Sequence, residues 1–154
     1  MASTTFSGPV TSTNGFIGAL TGNVTGNIAG SGSITHATTS AINATATATA
    51  AEVATGYITS TSASATAITL PTGTLLGAAL GAAKGTVFDL YIDNTGGAST
   101  VTIVVAVNGI LSAAAAAGSG AGAGLLTVPS GVTGIGCFRI VFASATAYVF
   151  SRIA

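Results

Sequence analysis

The chain has 154 residues, of which only six are charged, and its formal net charge is zero. Three basic residues are too few to neutralise a run of phosphates, so the composition argues against a nucleic-acid partner and against attraction to an anionic membrane surface. Catalytic sites usually combine several titratable side chains, whereas this sequence scatters one His, one Cys, one Lys and three acids along its length. We therefore expect a structural or assembly protein without a cofactor, and no enzyme.

Targeting signals are missing from the sequence pattern. Mean hydropathy is +0.78, but Gly, Ser, Thr and Asn interrupt each apolar stretch before it reaches the about 20 residues of a membrane span. The start, MASTTFSGPV, lacks the basic residues and apolar core of a secretory signal, which predicts synthesis in a cytoplasm. The lone Cys137 stands in the apolar run CFRIVFA, so we expect a buried structural thiol and no disulfide.

Residues 1–56 are predicted to form an extended, low-complexity arm of Thr, Ala, Gly, Ser and Asn. Three units, LTGN, VTGN and IAGS, make a short repeat over residues 20–31, and its glycines and β-branched threonines oppose a helix. Such a segment buries too little apolar surface to offset ordering costs of about 1–2 kcal/mol per residue, so we expect it to fold against a partner. A merely flexible leader is the alternative.

The arm carries large apolar side chains that need a partner surface to be buried, and these are the candidate contact residues: Phe6, Val10, Phe16, Ile17, Leu20, Val24 and Ile28. His36 stands in the same uncharged arm without nearby acids or cysteine, which indicates a hydrogen-bonded interface histidine and no metal site. The alternation ATATATAA over residues 44–51 predicts a strand with one Thr face, and we place the domain boundary after Gly56.

From Tyr57 the sequence predicts short strands separated by turns. Alternating apolar residues or short apolar runs indicate strands at residues 57–60, 66–70, 86–92, 100–107, 125–128, 137–143 and 147–152. Thr74 is the predicted cap of one short helix over residues 75–83, which Gly85 would end. Asn108-Gly109 predicts a hairpin turn, and the last two strands form a second predicted hairpin.

Two further patterns have features of ligand sites. The glycines of residues 118–124 follow an alanine run and no acid comes after them, so they indicate a loop and no dinucleotide site. Asp89 and Asp93 share one side of a predicted strand, but two carboxylates are few for calcium. Solvated positions, or pairing with Lys84 or Arg139, are the expectation.

Together these patterns predict an all-β fold: a small antiparallel β-sandwich or barrel over residues 57–154, with about seven strands and one short helix, behind the arm of residues 1–56.

The start FSGPVTSTNGFIG and the repeat TGNVTGNIAG resemble leaders of tailed-phage virion proteins. The segment ATAITLPTGTLLGAALGAAKGTVFDLYIDNTGGASTVTIVVAVNG, over about residues 64–110, is similar to the β domain of small phage capsid decoration and head-fibre proteins. The resemblance implies a cement protein of the virion surface, a homotrimer that clamps neighbouring major capsid proteins, with the arm residues contacting the shell or sister subunits. The alternative is a trimeric fibre, tail or adhesin component with a receptor-binding β head.

Overall fold

The computed structural model describes residues 36, 38–111 and 126–153. Within these residues the chain forms ten strands and two helices. In chain order they are β1 (Ser40–Ala41), β2 (Ala46–Thr47), α1 (Ala50–Ala54), β3 (Tyr57–Thr59), β4 (Thr66–Thr69), α2 (Gly73–Leu80), β5 (Val87–Asp93), β6 (Val101–Val104), β7 (Gly109–Leu111), β8 (Thr127–Val128), β9 (Ile135–Ser144) and β10 (Ala147–Arg152).

The strands form two sheets, and through β6 the chain visits them alternately. The first sheet has the order β1-β3-β5-β9-β10-β7, and the second has the order β2-β4-β6-β8. Each return to a sheet adds a parallel strand, so Ser40 lies opposite Ile58 and Ile58 lies opposite Ile92. Parallel neighbours require a long connection, which the strand in the other sheet and the helix supply.

The fold is mostly β, as predicted, but the antiparallel arrangement is wrong. Both sheets are mixed: β1-β3-β5, β2-β4-β6 and β7-β10 pair in parallel, whereas β5-β9, β9-β10 and β6-β8 are antiparallel. About seven strands were predicted over residues 57–154, where the described residues form eight, β3 to β10, and β2 lies within the strand predicted for residues 44–51. Strand β1 was not predicted, because two residues as small as Ser40 and Ala41 carry no apolar alternation.

A single apolar core lies between the sheets. Ile58 and Ile92 of the first sheet and Ile68 and Ile103 of the second are fully buried in it. The β9-β10 hairpin adds the aromatic part of the core, where the rings of Phe138 and Phe150 stack with centroids 5.0 Å apart. Aromatic and β-branched pairs of this kind supply much of the burial energy of a small domain.

The compact unit includes part of the predicted arm, since it runs from Ile34 to Ala154. Strands β1 and β2 pair with β3 and β4, and Ile42, Ala48 and Val53 are buried in the common core. Residues 40–54 of the predicted arm therefore contribute strands, a helix and core side chains to this unit.

Helix α1 was not predicted, and its start is a capping box. The Thr49 hydroxyl accepts a bond from the Glu52 backbone N–H, and the Glu52 carboxylate accepts the Thr49 backbone N–H at 2.7 Å. These bonds satisfy donors that the first turn of a helix leaves open. The motif TAAE, over residues 49–52, is visible in the sequence, but the preceding Thr-Ala alternation favoured a strand through residue 51.

Helix α2 is where a helix was expected, but it begins and ends earlier. Thr72, not Thr74, accepts the Leu75 N–H, and Gly81 ends the helix in the left-handed conformation with φ 58°. Leu76 and Gly77 face the core. Gly81 therefore performs the function predicted for Gly85, since a left-handed residue after the last turn is best occupied by glycine.

The two predicted hairpins have different outcomes. The β9-β10 hairpin is confirmed, with Val141 opposite Val149 and Ile140 opposite Phe150. The hairpin at Asn108-Gly109 is wrong, because β7 pairs in parallel with β10 and not with β6. The turn itself is present, and Asn108 adopts the left-handed conformation with φ 63° that favours Asn in such turns.

The capping box makes the stability of the fold depend on pH. Backbone and side-chain bonds from Thr49 hold the pKa of Glu52 below its ordinary value. A carboxyl with a lowered folded-state pKa stabilises above its unfolded pKa, about 4.3, and this stabilisation is lost as pH falls through the folded-state value. We expect Glu52→Gln to lose less stability than the wild type between pH 6 and pH 3, measured as the urea midpoint at each pH. Equal losses would contradict this role.

Candidate functional site

The outer face of the first sheet contains a cleft beside β3 and β5. Alternation along β5 buries Leu90 and Ile92 and leaves Asp89 and Tyr91 on the outer side. The cleft has a volume of about 460 Å³, within the range of small-molecule sites. We call it the tyrosine cleft, and its lining residues are His36, Tyr57, Val87, Phe88, Asp89 and Tyr91.

Three aromatic rings form one wall of the tyrosine cleft. Tyr57 and Tyr91 lie opposite each other on β3 and β5, and their rings are 6.3 Å apart and inclined by only 23°. The His36 ring lies 5.8 Å from Tyr57 and 5.7 Å from Tyr91. Strand pairing thus brings together residues that are distant in sequence. Their rings present apolar faces to the cleft, with the tyrosine hydroxyls and imidazole nitrogens as polar groups at the ring edges.

His36 is fixed by a hydrogen bond from its Nδ1 to the carbonyl oxygen of Thr55, at 2.8 Å. A carbonyl can only accept, so Nδ1 carries a proton and donates in this bond. The predicted hydrogen bonding of His36 is confirmed, whereas its location in an interface stays a prediction. No group of three His, Cys, Asp or Glu side chains among the described residues could hold a metal ion.

An ion pair lies at the edge of the tyrosine cleft. Arg139 on β9 donates from Nε and Nη2 to the two oxygens of Asp89, each at 2.8 Å, and this confirms one of the pairings expected for Asp89. The bonds from Arg139 lower the pKa of Asp89 and raise that of Arg139. Because both side chains are partly exposed, the pair orients the two groups more than it stabilises the fold.

Asp93 holds the other side of the tyrosine pair. Its carboxylate accepts the Tyr57 hydroxyl at 2.9 Å and the Thr95 hydroxyl and backbone N–H at 2.6 and 2.9 Å. The Thr95 hydroxyl is the main cause that lowers the pKa of Asp93, while burial and the Asp93 carboxylate raise that of Tyr57. Asp93 therefore fixes the position of the Tyr57 ring.

Cys137 is buried, as predicted from its apolar neighbours. It lies opposite Tyr91 in the β5-β9 register. A hydrogen bond between the two side chains is the main cause that raises the pKa of Tyr91. Cys137 thus supports the Tyr91 side chain and is not a reactive thiol at the surface.

Beside the cleft, the outer face of the first sheet presents a row of valines. Val87 lies opposite Val141, and Val141 lies opposite Val149, on three neighbouring strands. Val87 is 55% exposed and Val141 is 37% exposed. We call these three residues the valine row. Exposed aliphatic side chains on adjacent strands form a flat surface suited to contact with protein.

The seven predicted contact residues, Phe6, Val10, Phe16, Ile17, Leu20, Val24 and Ile28, lie outside the described part of the chain, as does the glycine loop of residues 118–124. The sequence reasoning missed the tyrosine cleft. The alternation along the strand, which places Asp89, Tyr91 and Asp93 on one side, is the sequence feature that could have indicated the cleft. Nothing in the sequence indicates that Tyr57 and His36 pack against Tyr91.

In the part of the chain that the structure describes, neither helix has the length and hydropathy that a membrane crossing requires. Comparisons with protein families, curated proteins and solved structures found no match to this chain.

Proposed function

We propose that this chain is a structural protein of a tailed-phage virion, a decoration or cement protein that binds the outer surface of the capsid and clamps neighbouring major capsid proteins. The observation that carries the proposal is the surface of the described domain, which combines many exposed apolar side chains with very few charges. The resemblance of the leader and of residues 64–110 to phage decoration proteins supports it. The protein would be made in the host cytoplasm and act as a homotrimer on the virion.

Nine large apolar side chains of the described residues are exposed, against six charged residues in the whole sequence. Asp89 and Arg139, two of these six residues, are paired with each other in a salt bridge. Surfaces of this kind suit protein contact, whereas soluble monomers usually carry many more charges. The exposed side chains are Leu75, Val87, Val104, Val107, Ile110, Val132, Ile135, Val141 and Ile153.

The clamp combines two contact surfaces. The uncharged segment that precedes His36 carries the seven apolar contact residues and binds the shell, while the valine row supplies apolar contact between subunits. Many small apolar and backbone contacts, repeated over a trimer, give avidity without salt bridges. Because apolar contacts are not screened, capsid binding is expected to depend only weakly on salt concentration.

Deleting residues 2–35 is expected to abolish binding to phage shells that lack this protein, because the deletion removes all seven apolar contacts. The β domain should stay folded, since its sheets and core are formed by residues 40–152. Cosedimentation with shells measures binding, and circular dichroism with thermal melting measures folding.

Two matched sets of substitutions serve as controls for the deletion. Phe6→Ser with Phe16→Ser should weaken cosedimentation strongly, whereas Thr5→Ser with Thr13→Ser should leave it unchanged. A folded deletion variant that still binds shells at the wild-type ratio would contradict the role of the arm.

The second candidate is a trimeric fibre, tail or adhesin component with a receptor-binding β head. The parallel stacking of β1-β3-β5 and β2-β4-β6 favours it, because chains that alternate between sheets in this way build solenoid fibres. Strands β1 and β2 are edge strands at the same end of their sheets, so stacking could continue beyond them. Elongated oligomers of the free protein in electron micrographs would favour this candidate.

A further inference from the structure

We propose that the tyrosine cleft is a binding site for a neutral saccharide. This activity is separate from shell binding, because it uses none of the seven arm residues, although Val87 belongs both to the cleft and to the valine row. Three features of the cleft carry the proposal: its aromatic wall, its hydrogen-bonding pair at the rim and its zero net charge.

The aromatic wall suits the apolar side of a sugar ring. A pyranose presents C–H groups on one face and hydroxyl groups around its edge, so it packs on an aromatic ring and hydrogen-bonds at its periphery. Tyr57, Tyr91 and His36 provide such rings, and all three are half-buried, so they are accessible yet held in place. Sites for small ligands are typically lined in this way, with a few placed polar groups.

The rim supplies both an acceptor and a donor. Each oxygen of Asp89 accepts one bond from Arg139 and keeps further lone-pair capacity, because a carboxylate offers about four acceptor sites. The guanidinium has five N–H donors and its fork is fixed by the ion pair. Two neighbouring hydroxyl groups of a sugar match this arrangement, one donating to the carboxylate and the other accepting from the guanidinium.

The charge of the cleft selects a neutral ligand. Among the described residues that line it, Asp89 is the only charged one, and Arg139 neutralises that carboxylate through two hydrogen bonds. An anion would be repelled by Asp89 and a cation would compete with Arg139, whereas a polyhydroxyl compound uses both groups. The cleft volume of about 460 Å³ is in the range of small-molecule sites.

The test starts from a printed glycan array probed with the fluorescently labelled full-length protein. It continues with titration of the methyl glycoside of the best-bound neutral sugar. Two of the three tyrosines line the cleft, and the chain has no tryptophan, so intrinsic tyrosine fluorescence reports binding directly. The third, Tyr148, is fully buried in the core.

Tyr91→Ala and Asp89→Asn are each expected to weaken binding of that glycoside by about tenfold, through loss of ring contact and of the charged acceptor respectively. Asp89→Asn keeps the shape of the side chain, so it tests the site even if Tyr91→Ala fails to fold. Thr69→Ala, on the outer face of the second sheet, should bind as the wild type does.

Two results would overturn the proposal. The first is the absence of binding to any neutral glycan on the array and to methyl glycosides at millimolar concentration. A cleft that is covered by a second copy of the chain would give this result. The second is glycan binding that Tyr91→Ala and Asp89→Asn leave unchanged. Neither result bears on cosedimentation with shells, so failure here is distinguishable from failure of the capsid proposal.

Discussion

Replacing Gly77 by alanine is expected to lower the free energy of unfolding by about 3 kcal/mol. In an exposed helix the same change would raise stability by about 1 kcal/mol, because alanine is the better helix former. Here a Cβ atom would overlap the carbonyl oxygen of Ala145, in the β9-β10 turn, and lie 3.3 Å from the Phe142 ring. The clash is with backbone and cannot be relieved by turning a side chain, so overpacking outweighs propensity.

Two control variants separate these effects in urea unfolding. Gly96→Ala places its Cβ near a single side-chain methyl group, that of Thr61, and should change stability little. Ala78→Gly, on the exposed side of α2, should cost about 1 kcal/mol from propensity alone. A Gly77→Ala protein as stable as the wild type would show that α2 does not lie against the β9-β10 turn as described.

Asn94→Asp is expected to cost about 4 kcal/mol at pH 7. Asn94 is fully buried, and its Nδ2 donates to the carbonyl oxygens of Ser99, Val128 and Pro129 at 2.8, 3.2 and 3.0 Å. A carboxylate has no donor and would face three carbonyl oxygens. The bonds join the turn after β5 to the end of β8, so their loss separates the two sheets at this end.

The cost of Asn94→Asp should depend on pH. Burial and the facing carbonyls raise the pKa of the introduced carboxyl above its unfolded value of about 3.9. A carboxyl with a raised folded-state pKa is best tolerated below the unfolded pKa and destabilises as pH rises through the folded-state value. The variant is therefore expected to be closer to the wild type at pH 3 than at pH 7.

Asn43→Asp is the matched control for Asn94→Asp. The Asn43 side-chain oxygen accepts bonds from the backbone N–H and hydroxyl of Thr61, at 2.8 and 3.2 Å, and the residue is exposed. A carboxylate can accept both bonds, so urea unfolding should show little change. Equal destabilisation by the two Asn→Asp substitutions would contradict the role assigned to Asn94.

The alternation of apolar residues predicted the individual strands well, because it depends only on neighbouring positions. In β9 and β5 the residues expected to face the core, such as Phe138 and Leu90, are buried. The same alternation occurs in parallel and antiparallel sheets, so it does not reveal which strands pair. The parallel pairing of β3 with β5 depends on contacts across more than 30 residues, which no local pattern carries.

Gly77 and Asn94 also show that a local sequence pattern does not reveal contacts between distant segments. Local propensity makes Gly77 a weak point of a helix and Asn94 a residue typical of turns. Both descriptions follow from propensity, but the packing of Gly77 on Ala145 and the bonds from Asn94 to Val128 and Pro129 link distant segments. The candidate site could not be predicted for the same reason, since Tyr57, Tyr91 and His36 come into contact only when the strands pair.

The most direct test of the central proposal is cosedimentation of the purified full-length protein with phage shells that lack it, with light scattering of the free protein. A trimer that binds at a fixed ratio to the major capsid protein, with little change between 0.05 and 0.5 M salt (about 14 to 4 Å of screening length), is the expected result. Elongated oligomers without shell binding would contradict the decoration role and favour the fibre candidate.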